Sequence, residues 1–199
     1  MKKYVEIAII LTAWSALILQ FIILKDSVAN FFSYFTILSN LLVAISLTAS
    51  TFAATTKIGK TSSLPTTKTA IALYILIVGL VYNLVLRGIW EPKGWQLVAD
   101  NLLHVVVPFI YFLYWIIFAE KGTLNWKQGI TWTYFPFAYL IYSLIRGHFV
   151  GWYPYPFLDV TKFGYQKVLI NAGFVVIAFV ILGFAMIGIN KITTSKIIK

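Results

Sequence analysis

The sequence predicts an all-α fold in which a single domain, residues 1–199, forms a polytopic membrane bundle of six transmembrane helices. The chain has 199 residues, of which 60% are hydrophobic and only 11% are charged. A soluble domain has about 25% charged residues. The mean hydropathy is +0.87, and six stretches contain the roughly 20 mostly apolar residues that a membrane-spanning helix needs. This composition excludes a soluble enzyme, a nucleic-acid-binding module and a disordered chain.

The predicted spans are separated by short connections, none of them long enough to divide the chain into domains. The spans are residues 4–24, 31–53, 69–90, 97–119, 131–150 and 163–190. The first follows Lys2 and Lys3 but is longer than the roughly 7–15 apolar residues of a signal peptide, so we expect an uncleaved helix. The last exceeds one bilayer thickness, which favours a tilted helix or one that begins at the outer face. Residues 54–68 are rich in Thr, Ser and Lys, which predicts a solvated loop.

Basic residues set the expected orientation, because they are enriched on the cytoplasmic side of a membrane. An even number of spans places both termini on one side. That side has ten lysines: Lys2, Lys3, Lys57, Lys60, Lys68, Lys121, Lys127, Lys191, Lys196 and Lys199. The other side has six basic residues: Lys25, Lys93, Lys162, Lys167, Arg87 and Arg146. We therefore expect an integral protein of the plasma or inner membrane with both termini cytoplasmic.

Polar side chains concentrate in the outer thirds of five predicted helices, whereas the inner halves contain few. Such groups are costly in a membrane and are functional-site candidates by default. They are Ser33, Thr36, Ser39, Asn40, Asn83, Arg87, Asp100, Asn101, His104, Ser143, Arg146, His148, Gln166 and Asn171. At 1.5 Å per residue, Thr36 and His104 both lie roughly 8–10 Å below the outer end of their helices. We expect these two side chains to meet in a cavity that opens outward.

Helical spacing places several of these groups on shared faces, since residues four apart are neighbours. Asp100 and His104 form such a pair, and Asp100 can orient the imidazole. We expect at least one of Arg87 and Arg146 to pair with Asp100, because an unpaired buried charge is costly. Simpler interpretations remain open: both arginines can extend to the headgroups, and Asp100 can be a helix cap. The chain has no cysteine, and we expect neither a metal nor a cofactor.

Three segments resemble a known family. They are residues 33–40 (SYFTILSN), residues 100–104 (DNLLH) with Pro108 following, and residues 151–159 (GWYPYPFLD). Their order and spacing are similar to those of the androgen-induced and androgen-dependent multi-pass membrane proteins and their bacterial six-helix relatives. The likeness to the bacterial proteins covers nearly the whole chain, and the likeness to the animal proteins rests on the three segments.

This resemblance implies an intramembrane hydrolase. The animal members use a Thr and a His to cleave fatty-acid esters of hydroxy fatty acids, and Thr36 and His104 fall at the matching positions. A threonine hydroxyl needs a base to become nucleophilic, and His104 is the candidate base. Candidate oxyanion donors are Asn40, Asn83 and Arg87. Asp100, Asn101 and Arg146 complete the supporting set. The expected partners are membrane lipids and a hydrophobic ester substrate, without nucleic acid.

Three other functions fit the same polar layer. A small transporter or channel would use the Arg, Asp and His side chains to line a pathway, although the polar groups do not continue to the inner side. A haem-binding electron carrier would use His104 and His148 as axial ligands. A non-enzymatic membrane partner protein would use the polar groups only to hold its helices together.

Overall fold

The structure is a computed structural model that describes residues 1–89 and 91–195. Trp90, the last residue of the third predicted span, lies outside the described residues, as do Lys196 and Lys199 of the lysine count. The described residues contain helices and no strand. The α-helices are α1 (Lys2–Ile22), α2 (Val28–Phe31), α3 (Phe35–Phe52), α4 (Lys57–Ser63), α5 (Pro65–Val81), α6 (Trp95–Asn101), α7 (Val107–Phe118), α8 (Trp126–Thr131), α9 (Tyr134–Val150) and α10 (Val160–Ser195).

Five helical segments are long and apolar enough to cross a bilayer. They are Lys2–Ile22, Phe35–Phe52, Pro65–Leu86, Trp95–Phe118 and Val160–Ile192. The remaining predicted span, residues 131–150, is interrupted between α8 and α9. Because Pro136 has no N–H to donate, it fits best in the first turn of a helix, and α9 begins two residues before it. The 17 residues of α9 extend about 25 Å, somewhat less than the roughly 30 Å hydrocarbon core.

The connections differ from the prediction in two places. The predicted loop at 54–68 contains α4, whose first turn is capped by the Thr56 hydroxyl accepting from the Gly59 N–H. The long final stretch starts at Val160 and is broken at Gly164, whose φ of 70° lies outside the helical region. Glycine alone adopts such a backbone without strain, so α10 consists of a short initial turn and one long helix.

Two π-helical turns interrupt the bundle, at Tyr82–Leu86 and at Leu102–Val106. The second π turn precedes Pro108, which has no N–H to donate to the His104 carbonyl. At the end of this turn, the Val107 N–H donates to the Leu102 carbonyl, five residues earlier. Gly79 lies opposite, where an added Cβ would be 3.0 Å from Pro108 Cβ. The close approach of α5 to α7 therefore brings the two π turns side by side. Such turns occur often at functional sites.

The centre of the bundle is occupied by α3, which packs against α1, α4, α5 and the second π turn. Small side chains permit this packing, since Ala13 and Ala16 of α1 and Val43 and Ala44 of α3 are fully buried. The N-terminus of α3, the C-terminus of α9 and both π turns lie at the same end of the bundle. We call this the site end.

The segment that follows α9, residues 151–159, folds over the site end. Gly151, with φ of 69°, ends the helix, and Pro156–Leu158 form one 3₁₀ turn. The Tyr153 ring fills the space beside Gly147, where an added Cβ would overlap the ring. The Asn171 amide donates to the carbonyl of Phe157 at 3.1 Å. These contacts hold the segment, and with it Tyr155, against the bundle.

A buried carboxylate lies at the opposite end of the bundle, where we predicted few polar groups. Glu6 Oε1 accepts from the Tyr114 hydroxyl at 2.6 Å, and Oε2 accepts from Thr51 at 3.4 Å. Glu6 is only 8% exposed. It connects α1, α3 and α7, and the compensating hydroxyls are what make its burial tolerable.

Candidate functional site

Thr36 occupies the first turn of α3, where the helix has backbone N–H groups without a partner in the helix. The Phe35 N–H donates to the Tyr139 hydroxyl at 3.2 Å, and the Thr36 N–H donates to the Tyr155 hydroxyl at 3.1 Å. Two tyrosines from distant parts of the chain thus take the place of a side-chain cap. The positive end of the helix dipole lies beside the Thr36 hydroxyl, where it favours negative charge.

His104 contacts Thr36 across the bundle, in the place that the count along the helices predicted. Its Nε2 lies 3.2 Å from Thr36 Oγ1. Its Nδ1 lies 3.0 Å from the Asp100 carbonyl oxygen and 3.3 Å from Asp100 Oδ1. Both Asp100 atoms only accept hydrogen bonds, so the proton of a neutral imidazole belongs on Nδ1. Nε2 is then free to accept the Thr36 hydroxyl proton.

Asp100 supports the imidazole and does not cap a helix. It is the sixth residue of α6, which begins after Gly94, so the capping interpretation is wrong. Its carboxylate is bonded to the Tyr82 hydroxyl and lies against His104. The prediction that Arg87 or Arg146 pairs with Asp100 is also wrong. In the described part of the chain, Arg87 bonds Asn83 and Arg146 bonds Asn30. A neutral hydroxyl and the imidazole take the place of the arginine.

Tyr155 is a site residue that was not among the sequence-predicted candidates, and Tyr82 is another. The Tyr155 hydroxyl lies 3.1 Å from Thr36 Oγ1 and 3.1 Å from the Thr36 nitrogen. Burial of this hydroxyl raises its pKa to about 12. The only signal in the sequence was its place in the family-like GWYPYPFLD segment, because a residue in an irregular segment has no helical depth that can be counted.

Asn40 lies next to the site, but its amide group is already engaged. Its Nδ2 donates to the carbonyl oxygens of Thr36 at 2.9 Å and Leu103 at 3.2 Å. Both amide hydrogens are thereby used, which removes Asn40 as an oxyanion donor. Because Leu103 belongs to the second π turn, Asn40 instead fastens the Thr36 helix to the His104 helix.

The side chains of the other four candidates make their hydrogen bonds away from Thr36 and His104. Asn83 and Arg87 bond each other at 2.9 Å on an exposed face. The Asn101 amide donates to the Leu97 carbonyl of its own helix. Arg146 bonds Asn30 at 2.5 Å and lies over the Trp152 ring at 4.9 Å. None of the four lines the cavities at Thr36.

Two cavities meet at the Thr36–His104 contact. The first, of about 80 Å³, is apolar and runs between α5, α9 and α10. Its apolar lining includes Ile77, Val78, Val81, Leu140, Val175 and Phe179. The second, of about 550 Å³, opens at the site end. We call it the polar cavity, because its lining includes four charged residues that do not line the first cavity: Lys25, Asp26, Asp159 and Lys162. The lining shared by both is Thr36, Tyr82, Leu86, His104 and Tyr155.

The chemistry open to this arrangement is that of an activated hydroxyl. A nucleophile in contact with a base, and a base oriented by a third group, form the general pattern of covalent catalysis. Within residues 1–89 and 91–195 no three His, Cys, Asp or Glu side chains converge so as to hold a metal ion. The chain matches no protein-family model, no curated protein and no solved structure.

Proposed function

We propose that this protein is an integral membrane hydrolase that cleaves lipid esters with Thr36 as nucleophile and His104 as base. The observation that supports it most directly is the 3.2 Å contact between Thr36 Oγ1 and His104 Nε2, at the junction of an apolar and a polar cavity. A hydrogen bond that only held two helices together would not need to border a cavity, whereas Thr36 and His104 line both.

The acylation step follows from the orientation of His104. Nε2 removes the Thr36 hydroxyl proton as Oγ1 attacks the ester carbonyl carbon, and the Nδ1–H remains bonded to Asp100. The resulting imidazolium is stabilised by the adjacent Asp100 carboxylate. When the tetrahedral intermediate collapses, the bond from carbon to the alcohol oxygen breaks. Nε2 returns the proton to that oxygen, which leaves Thr36 acylated and the alcohol free.

Deacylation repeats the same proton movements with water. A water molecule in the polar cavity gives a proton to His104 Nε2 and attacks the Thr36 ester. The carbon–Oγ1 bond then breaks, and Nε2 returns the proton to Oγ1. The products are a carboxylic acid and the regenerated hydroxyl, so the cycle needs neither a cofactor nor a metal.

The two cavities indicate how an ester would lie. The methylenes nearest the ester carbonyl are removed from water most favourably in the apolar cavity. The alcohol portion and the attacking water suit the polar cavity. Such a substrate would arrive from the surrounding lipid. The carbonyl carbon would then lie at the junction, which is where Thr36 and His104 meet.

We further propose that α9 is a sixth span, with both termini cytoplasmic and the site end outward. The chain has no cysteine, so single cysteines report topology directly. Thr61 in α4 and Lys93 after α5 are both exposed. In intact cells, an impermeant thiol reagent should label Lys93→Cys and spare Thr61→Cys. The reverse pattern would invert the proposed topology.

The enzymatic proposal is tested with purified protein and a panel of long-chain lipid esters. Thr36→Ala and His104→Ala should each abolish turnover, and the double variant should be little worse, since the pair acts as one unit. Thr36→Ser keeps the hydroxyl and should retain activity. Thr12→Ala is the matched control, because Thr12 is half-buried on α1 and its hydroxyl bonds only the Ala8 carbonyl of its own helix. Full activity of Thr36→Ala would overturn the mechanism.

A further inference from the structure

The Tyr155 hydroxyl is the third group that contacts the Thr36 hydroxyl, and its hydrogen bonds can be assigned a direction. Tyr155 must accept at its oxygen from the Thr36 N–H, because a backbone N–H only donates. The Thr36 hydroxyl proton is directed at His104 Nε2, as the Nδ1 tautomer requires. The remaining bond, 3.1 Å between the two hydroxyl oxygens, then has Tyr155 as donor and Thr36 Oγ1 as acceptor.

These directions define one continuous chain of donors. It runs from the Thr36 N–H to the Tyr155 oxygen, from the Tyr155 O–H to Thr36 Oγ1, and from the Thr36 O–H to His104. The Tyr155 proton is therefore aimed at the reacting oxygen. It is also polarised by an amide at the positive end of α3, and hydrogen bonds in such chains strengthen one another.

We infer that Tyr155 is a catalytic residue, the donor that stabilises the oxyanion formed when Thr36 attacks an ester. The inference rests on the proposed hydrolase function. When Oγ1 bonds to the carbonyl carbon, the carbonyl π pair moves onto the carbonyl oxygen, which lies one carbon away from Oγ1. The Tyr155 O–H shifts its hydrogen bond from Oγ1 to that oxygen without giving up its proton. Collapse of the intermediate restores the carbonyl and expels the alcohol.

The other candidate donors are excluded by their contacts. Both Asn40 amide hydrogens are used by carbonyl oxygens, and Asn83 and Arg87 face away from the site. Tyr139 resembles Tyr155 in accepting a backbone N–H of α3, but its own proton goes to the Ser33 carbonyl at 2.9 Å. Among these groups only Tyr155 has a proton directed at the reaction centre.

The setting of Tyr155 suits an oxyanion donor. Stabilisation of this kind works when the donor is fixed before the reaction and shielded from water. Residues 151–159 are fixed by the fit of Tyr153 against Gly147 and by the bond from Asn171 to Phe157. Because burial raises the pKa of Tyr155 to about 12, the hydroxyl keeps its proton at neutral pH and remains a donor.

The test compares Tyr155→Phe with Tyr139→Phe, which also loses a hydroxyl bonded to an α3 amide but leaves the Thr36 hydroxyl untouched. Removal of one oxyanion donor costs about 10²–10³ in kcat. We expect that loss for Tyr155→Phe with KM changed by less than about threefold, and much the smaller loss for Tyr139→Phe. A Tyr155→Phe enzyme with wild-type kcat would overturn the inference. Equal losses of kcat in both variants would also overturn it, because they would show that Tyr155, like Tyr139, acts only by accepting a backbone N–H of α3.

A second measurement applies even if Tyr155→Phe fails to fold. Replacement of Tyr155 by 3,5-difluorotyrosine keeps the ring and hydroxyl but makes the hydroxyl more acidic, and an ionised phenol cannot donate. We expect kcat of this variant to fall at a distinctly lower alkaline pH than in the wild type. An unchanged pH profile would overturn the inference. Absence of turnover in the wild type itself would instead contradict the proposed function, so the two failures are distinguishable.

Discussion

The Tyr82 ring stacks on the imidazole of His104, with ring centroids 4.2 Å apart and planes inclined by 17°. The Tyr82 hydroxyl also donates to the Asp100 carboxylate, which lies against His104 Nδ1. One tyrosine thus fixes the plane of the base and the position of the group that orients it. Both rings belong to π turns, so this relationship depends on the interrupted helices and would be absent from two regular ones.

Tyr82→Phe should destabilise the fold while keeping the stacked ring. The substitution leaves a buried carboxylate oxygen of Asp100 without its donor, which costs about 1–3 kcal/mol of unfolding free energy. Thermal unfolding in detergent measures the loss. Tyr165→Phe is the control, because Tyr165 is exposed and makes only a 3.5 Å contact with His148. A Tyr82→Phe protein as stable as the control would show that the bond to Asp100 contributes little.

Asp100→Asn should reduce kcat only moderately, by about 10–10². In a serine-protease triad the equivalent change costs about 10⁴, because the histidine takes the wrong tautomer. Here the Asp100 backbone carbonyl is the nearer partner of Nδ1, at 3.0 Å, and it survives the substitution. Steady-state kinetics on the folded variant measure the loss of kcat. A loss as large as that in the triad would mean that the carboxylate, and not the carbonyl, sets the tautomer.

Ala172→Phe should shift the substrate preference toward shorter acyl chains. Ala172 is buried and lines the apolar cavity, so a phenyl ring there fills the space assigned to the chain. Relative kcat/KM over esters of increasing acyl length measures the shift. Ile177→Phe is the control, since Ile177 lies on the same helix and is 55% exposed. An unchanged preference in Ala172→Phe would place the acyl chain elsewhere.

Gly147→Ala should displace the segment that positions Tyr155. The new methyl would overlap the Tyr153 ring, and overpacking of this kind costs about 1–3 kcal/mol. We expect a lower unfolding temperature and lower kcat, with faster amide hydrogen exchange in residues 151–159. Gly188→Ala is the control, because nothing lies within 4 Å of its added Cβ. Exchange at the wild-type rate in Gly147→Ala would contradict this account of the segment.

The contact between Thr36 and His104 could be predicted because both residues lie on helices. The rise per residue is constant in a helix, so a count from the outer end gives the depth of each side chain. The same count placed the polar layer correctly at one end of the bundle.

The direction in which a side chain points was harder to predict than its depth. Asn83 and Arg87 lie at the expected level but face outward, because rotation of a helix about its axis follows from packing and, here, from the π turn at Tyr82–Leu86. Tyr155 lies in an irregular segment whose path depends on contacts such as Gly147 with Tyr153. Neither the π turns nor this path leaves a periodic pattern in the sequence.

The central claim is that Thr36 becomes acylated, and trapping that intermediate tests it most directly. Purified protein is mixed with a long-chain activated ester, quenched in acid within the first turnover, digested and analysed by mass spectrometry. The account predicts an acyl group on Thr36 in the wild type, none in Thr36→Ala, and greatly slowed acylation in His104→Ala. Ester cleavage by the wild type with Thr36 unmodified throughout the turnover, or acylation of another residue in Thr36→Ala at the wild-type rate, would contradict it.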